Sequence, residues 1–273
     1  MGETVVGETV KTLRSGKERF YGPLMIIVGI LLWILIALAA VAALGSPRGA
    51  ALLITYLAYA VVIVIAVLIS AAAYRATAFG NMTLLSPGQF PELHTIVTAA
   101  AREIGLAAAP ITFIYNSSGL FNAFARRLLG KRFVFLTSAL VEASDDEQVR
   151  FVIGHEVGHH AAGHLNWWLN LIKLPAHIVP FLGPAYSRAR ETTCDNIGAY
   201  LSGDFDASRS ALQMLGCGCR RLNQSMNCEA FIAQEAQVPP IFGFLTEIFR
   251  SHPRLTRRVA NIRNYASRSR SMA

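Results

Sequence analysis

The sequence predicts an α+β fold that is mainly helical: two N-terminal transmembrane helices, then a folded domain with a small antiparallel sheet. Three observations carry this reading. Residues 24–44 and 50–73 are two long runs without a charge. From about Arg75 onward the chain is broken up by helix caps, turn residues and short β-rich runs. The 273 residues are 53% hydrophobic and only 15% charged, whereas ordinary soluble domains carry about 25% charge. That composition excludes a disordered chain and a typical water-soluble one.

Residues 1–23 form a polar cytoplasmic head in which Gly-Glu-Thr-Val occurs twice, at 2–5 and 7–10. It is expected to be frayed, and no chemistry is assigned to it. Each apolar run that follows is long enough, at about 1.5 Å per helical residue, to cover the roughly 30 Å hydrocarbon core of a bilayer. Gly45-Ser46-Pro47-Arg48-Gly49 breaks the helix between them, so residues 24–74 form a transmembrane hairpin. Lys11, Arg14, Lys17 and Arg19 precede it and Arg75 follows, against Arg48 alone in the connector. The excess of positive charge places both termini in the cytoplasm of a cell (inner) membrane protein. Ala40-Val41-Ala42 resembles a cleavage site, but the apolar run is longer than the roughly 7–15 residues of a signal peptide.

The domain then occupies residues 75–273. Residues 91–105 have helical apolar spacing between an initial proline and a final glycine. Residues 111–115 and 133–137 are β-rich, with Asn122-Ala123-Phe124-Ala125 and a Gly130-Lys131 turn between them, which suggests antiparallel pairing. From Ser144 the pattern is mostly helical, with Ser144 as N-cap and Glu147 as its capping-box partner.

That helix runs into His155-Glu156-Val157-Gly158-His159. Residues four apart share a helical face, so both imidazoles reach one divalent cation, and the intervening Glu156 points near the ion without having to bind it. The domain is therefore of the zincin metalloprotease type. A third ligand must come from elsewhere. A histidine ten residues after the first would supply it in one class, but Leu165 stands there. A carboxylate on a later helix is the other solution. Glu191 and Asp195, four apart, are the outstanding candidates: one can bind the metal while the other accepts the free ring N–H of a ligand histidine.

With these motifs in place the chain resembles the HtpX-like membrane zinc metallopeptidases, gluzincins related to the CaaX prenyl-protein endopeptidases. The resemblance runs from about residue 91 to 262. Its motifs are Ser-Asp-Asp-Glu before HEVGH, Ser187-Arg188-Ala189-Arg190-Glu191 followed by Asp195, Asn122-Ala123-Phe124-Ala125, and Ser251-His252-Pro253 with Arg258 downstream. Cys194 departs from the family's usual alanine, and the segment between HEVGH and Glu191 is shorter than in HtpX. The resemblance implies one Zn²⁺ held by His155, His159 and Glu191, with Glu156 as general base and Asp195 steadying a ligand imidazole. His252 would donate to the oxyanion, helped by Arg258. Asn122, Ala123, Phe124 and Ala125 would form an edge that pairs with extended substrate.

If His155 and Glu191 share an ion, residues 165–186 cannot cross the bilayer once; they dip in and return or lie along the interface. Trp167 and Trp168 suit the headgroup level. His160 and His164 are read as packing or solvated residues, and Cys217, Cys219 and Cys228 as reduced thiols. Arg254, Arg257, Arg258, Arg263, Arg268 and Arg270 form a basic run suited to anionic lipid or to solvent. No nucleic-acid module accompanies it, and none is expected as partner. The partners are protein or peptide substrates and the lipid bilayer. The leading function is a membrane-anchored endopeptidase acting on membrane or misfolded proteins; a catalytically silent scaffold and a prenyl-protein protease are the alternatives.

Overall fold

A computed structural model describes the backbone of residues 9–272 and the side chains of 9–265. The GETV repeat up to residue 8 and the side chains of Arg268 and Arg270 lie outside these. Two long helices come first, α1 (Gly16–Ala43) and α2 (Pro47–Asn81). Both are apolar and long enough to cross a membrane, and most of their apolar surface is left uncovered by protein. Each begins at a serine in extended conformation, Ser15 or Ser46, whose hydroxyl accepts an N–H from the first turn.

Both helices overrun their apolar runs, and the extra turns tie them to the domain. The last turns of α2 bring Tyr74, Ala78 and Phe79 onto one face of a sheet formed by β1 (Thr83–Leu84), β2 (Ile111–Tyr115), β3 (Ala123–Leu128) and β4 (Lys131–Thr137). Phe113, Phe133 and Phe135 stack across that face. The strand order is β1-β2-β4-β3, so β3 is an edge. The sheet is mixed, not antiparallel throughout: β2 runs parallel to β4, with Ile111 opposite Phe133 and Tyr115 opposite Thr137. The reason lies in the connections. Leu129 and Gly130, both at positive φ, make a two-residue turn that folds β3 back on β4. Residues 116–122 return the chain before β3 starts, which leaves β2 and β4 pointing the same way.

The other face of the sheet meets the helical layer. After α3 (Pro91–Glu103) and a short α4 (Ser138–Ala143) comes α5 (Asp146–Ala161), which carries the HExxH motif. Its capping box is Asp145 with Gln148, one residue later than expected, because Ser144 already closes α4 by donating its N–H to Leu140. Next are α6 (Trp167–Lys173), a 3₁₀ turn (Leu174–Ile178), and α7 (Leu182–Ser202), followed by α8 (Phe205–Cys217), α9 (Arg220–Ser225), α10 (Cys228–Ala233), α11 (Pro240–Ile248) and α12 (Leu255–Met272).

The N-terminal head is not frayed over its described part. Val10 and Leu13 enter the main core with Val134, Leu136, Ile153 and Ile197. Asn196 donates to the Leu13 carbonyl, and Ser15 bonds Thr193 and Ala189 of α7. The polar look of the head misled because, over its described part, Val10 and Leu13 are buried together with the polar Ser15 and Glu18.

Candidate metal centre

The site is made by the crossing of α5 and α7. Glycines line the contact: a Cβ on Gly198 would stand 2.7 Å from the Phe151 carbonyl oxygen, and one on Gly154 would stand 3.0 Å from the Cα of Gly198. The two backbones therefore approach closely enough for side chains one turn along to meet. His155 and His159 lie on that face of α5; Glu191 and Asp195 lie on that face of α7.

His155 Nε2 lies 3.5 Å from one Glu191 oxygen, and His159 Nε2 lies 3.5 Å from the other. Ligand atoms placed about 2.0–2.1 Å from a tetrahedral ion stand roughly 3.3–3.4 Å apart. The spacing of this donor set therefore fits one small divalent cation, and His155, His159 and Glu191 could hold it.

The ring nitrogens facing away are also engaged. His155 Nδ1 is 3.0 Å from Asp195, which in turn receives two bonds from Arg258, at 2.8 and 2.6 Å. His159 Nδ1 is 3.1 Å from His164 Nδ1, and His164 Nε2 is 3.0 Å from Glu18. Each carboxylate is an acceptor, so the protons are fixed in sequence. Asp195 takes N–H from His155. Glu18 takes N–H from His164, whose other nitrogen must then accept from His159. In the tautomers so fixed, Nε2 of His155 and of His159 is the nitrogen turned toward Glu191.

Electrostatics agree with a cation there. Burial alone would lower the pKa of His155, yet Asp195 and Glu191 raise it to about 10. Burial and the neighbouring imidazole hold His159 far below its usual range. Asp195 stays ionised: burial opposes this, but Arg258 and His155 prevail. Burial, with the Glu191 charge adding to it, pushes Glu156 up to about 7; His155, Arg258 and a backbone bond from Ala125 act against the rise.

Glu156 opens onto a cavity of about 590 Å³ bounded by Asn122, Ala123, His155, Glu191, Phe249 and His252. His252 stands at its mouth, 63% exposed, and donates from Nδ1 to Glu191 at 2.9 Å. Arg258 is buried behind Asp195, with Nη2 3.8 Å from Glu191. Of the four edge residues, Asn122 and Ala123 line the cavity and Ala125 touches Glu156, whereas Phe124 stacks on Phe135 in the aromatic layer.

Two participants were missed in the sequence. His164 is buried beneath His159, the packing alternative of the two expected, and its bonds to His159 and Glu18 were not foreseen. It lies past the end of α5, where Gly163 at φ 77° reverses the chain and the N–H groups of Gly163 and His164 bond the carbonyls of His160 and His159. A glycine just after a helix, followed by histidine, was the available signal. Glu18 carried none: it sits in the first turn of α1, 146 residues away from His164. Arg14 pairs with it. The basic run at the C-terminus is also largely engaged within the molecule: Arg254 and Arg257 on Glu235 and Glu247, Arg258 on Asp195, Arg263 on Glu229. All four cysteines are unpaired.

The Peptidase family M48 model matches residues 87–175 and 166–266. The chain is 27% identical over 169 residues to the plastoglobule-localized metallopeptidase 48, chloroplastic, of Arabidopsis thaliana, an alignment covering 57% of this chain and 48% of that protein. It is 25% identical over 213 residues to a protease HtpX homolog of Methanopyrus kandleri, covering 63% of this chain and 65% of the relative. The alignments thus span about half and just under two thirds of these relatives.

Proposed function

The chain belongs to peptidase family M48, and from that premise we propose that it is a membrane-anchored zinc endopeptidase whose hairpin, α1 and α2, holds the catalytic domain at the cytoplasmic face of a cell membrane. The observation that carries this is the 3.5 Å spacing of the His155 and His159 Nε2 atoms from the two oxygens of Glu191. His155, His159 and Glu191 hold the zinc. When bound, zinc acidifies water and polarises a carbonyl.

Glu156 accepts the proton of the attacking water and returns it to the leaving amine, and its place on the cavity wall beside His155 and Glu191 suits both transfers. Asp195, fixed by Arg258, keeps His155 in the ligating tautomer, and Glu18 through His164 does the same for His159. Arg258, committed to Asp195, acts by positioning. His252, on the cavity wall, is the side-chain donor for the oxyanion. The edge of β3 at Asn122 and Ala123 takes an extended peptide by adding it to the sheet, a mode with little side-chain preference that suits misfolded or membrane proteins.

Glu156→Gln should keep its zinc and lose hydrolysis of an unfolded protein such as casein, while Glu191→Ala should lose zinc as well. Metal content by elemental analysis beside a cleavage assay reads both. Normal cleavage by the Glu156 variant would remove it from the role of base.

A further inference from the structure

Several of the most exposed apolar side chains outside the two long helices gather on and beside α11. α11 buries Gly243 and Ile248 against the domain and turns Ile241, Phe242, Phe244, Leu245 and Phe249 outward. Three of these are phenylalanines exposed by 69, 63 and 71%; at about 200 Å² per aromatic side chain they alone present roughly 400 Å². A patch of that size matches the largest on a typical monomer, and such patches are often functional.

What covers it is indicated by its neighbour. The excursion between α5 and α7 packs along the apolar part of α1. Trp33 donates to the Leu171 carbonyl at 3.0 Å, Gly29 receives the Ile172 carbonyl against its backbone, and Met25 packs on Ala176. Trp33 lies nine residues past Leu24, where the charge-free run begins, a distance of about 14 Å along a helix. The excursion therefore reaches the depth of hydrocarbon and returns, showing Leu174, Ile178 and Phe181 outward. Phe181 meets Phe249 edge-on, with ring centroids 5.4 Å apart. The outward face of α11 thus continues the surface of a segment that lies beside a membrane-spanning helix.

We propose that α11 is a third membrane contact, its outward face seated in the headgroup and upper acyl region of the same leaflet that the excursion enters. This rests on α1 and α2 spanning the bilayer. Lys17 and Arg19 before the first span and Arg250 after α11 provide positive charge for anionic headgroups. Phe249 and His252 both bound the catalytic cavity, so seating α11 puts the mouth of that cavity at the lipid surface. The peptide bonds it takes are then those of chain segments lying on or just leaving the bilayer.

The test replaces Phe242 with an environment-sensitive fluorescent amino acid in the full chain, reconstituted in phosphatidylcholine–phosphatidylglycerol vesicles. The same probe at Ile63, midway along α2, reports on spanning. Nitroxide-bearing lipid should quench position 242 and aqueous iodide should not. If iodide quenches 242 while lipid quenches only 63, the third contact is overturned and spanning stands. Protection of 242 from both quenchers that vanishes on diluting the protein in lipid assigns the face to a second copy and overturns the lipid assignment. Failure of lipid to quench 63 overturns the contact together with the spanning it rests on.

Discussion

Glu18 and Arg258 show how far the centre extends beyond its three ligand residues. Neither belongs to the proposed donor set, yet each ends a chain of bonds that leads to the outward nitrogen of His155 or His159. Removing such an outer partner typically costs about 10–100-fold in metal affinity. Glu18→Ala should therefore weaken zinc binding by that order in competition with a chelator, and Glu18→Gln, which still accepts a bond from His164, should recover part of it. Unchanged affinity in the alanine variant would make Glu18 a packing residue only. At this scale the sequence was legible where partners lie within a helical turn, as in HEVGH, or four apart, as in Glu191 and Asp195. It was opaque where a contact joins distant segments, because no local spacing encodes that the first turn of α1 lies under His159.

Between elements, the α5–α7 crossing is the most sensitive part of the structure. The Gly198→Ala methyl would meet the Phe151 carbonyl, which a backbone atom cannot evade. Overpacking of this kind costs about 1–3 kcal/mol. Thermal unfolding should show the loss, accompanied by weaker zinc binding because the helices that carry the ligands move apart. Unaltered stability and affinity would show that the crossing yields easily.

Two other joints respond to acid. His160 stitches α5 to β4 by donating to the Phe133 carbonyl at 3.0 Å. Burial, against that bond and with Arg132 and Arg127 adding, lowers its pKa from 6.5 to about 4. The unfolded chain therefore takes up the proton first, and stability falls as pH drops from 6.5 toward 4. Glu235 holds Arg254, Thr256 and Arg257 around the bend that carries His252. Burial would raise its pKa, but those bonds bring it from 4.5 to about 2, so its contribution is full above 4.5 and is lost as pH falls toward 2. As pH falls through each window, wild type should lose stability relative to His160→Gln, and its advantage over Glu235→Gln should close; a constant gap at all pH values would contradict this. The strands were legible in composition but their direction was not, since β2 would look the same in a parallel or an antiparallel pair.

As a whole the molecule is a peptidase family M48 domain of which the two long apolar helices are structural parts. α1 begins by contacting the metal centre, α2 ends by covering the sheet, and the excursion between the ligand helices packs on α1. Deleting residues 1–81 should therefore destroy zinc binding rather than release a soluble enzyme, and a soluble fragment that binds zinc with full affinity would contradict that integration. The two long apolar helices were plain from charge-free length, whereas their docking depended on tertiary contacts that length does not report. The central claim is that His155, His159 and Glu191 converge on one cation. X-ray absorption on the zinc-loaded full chain tests it most directly. The account predicts one zinc per chain with two imidazole nitrogens at about 2.0–2.1 Å, no sulfur, and loss of the signal in Glu191→Ala. A zinc–sulfur distance near 2.3 Å, which would place the ion on Cys194 with His164, or an undiminished signal in that variant, would contradict it.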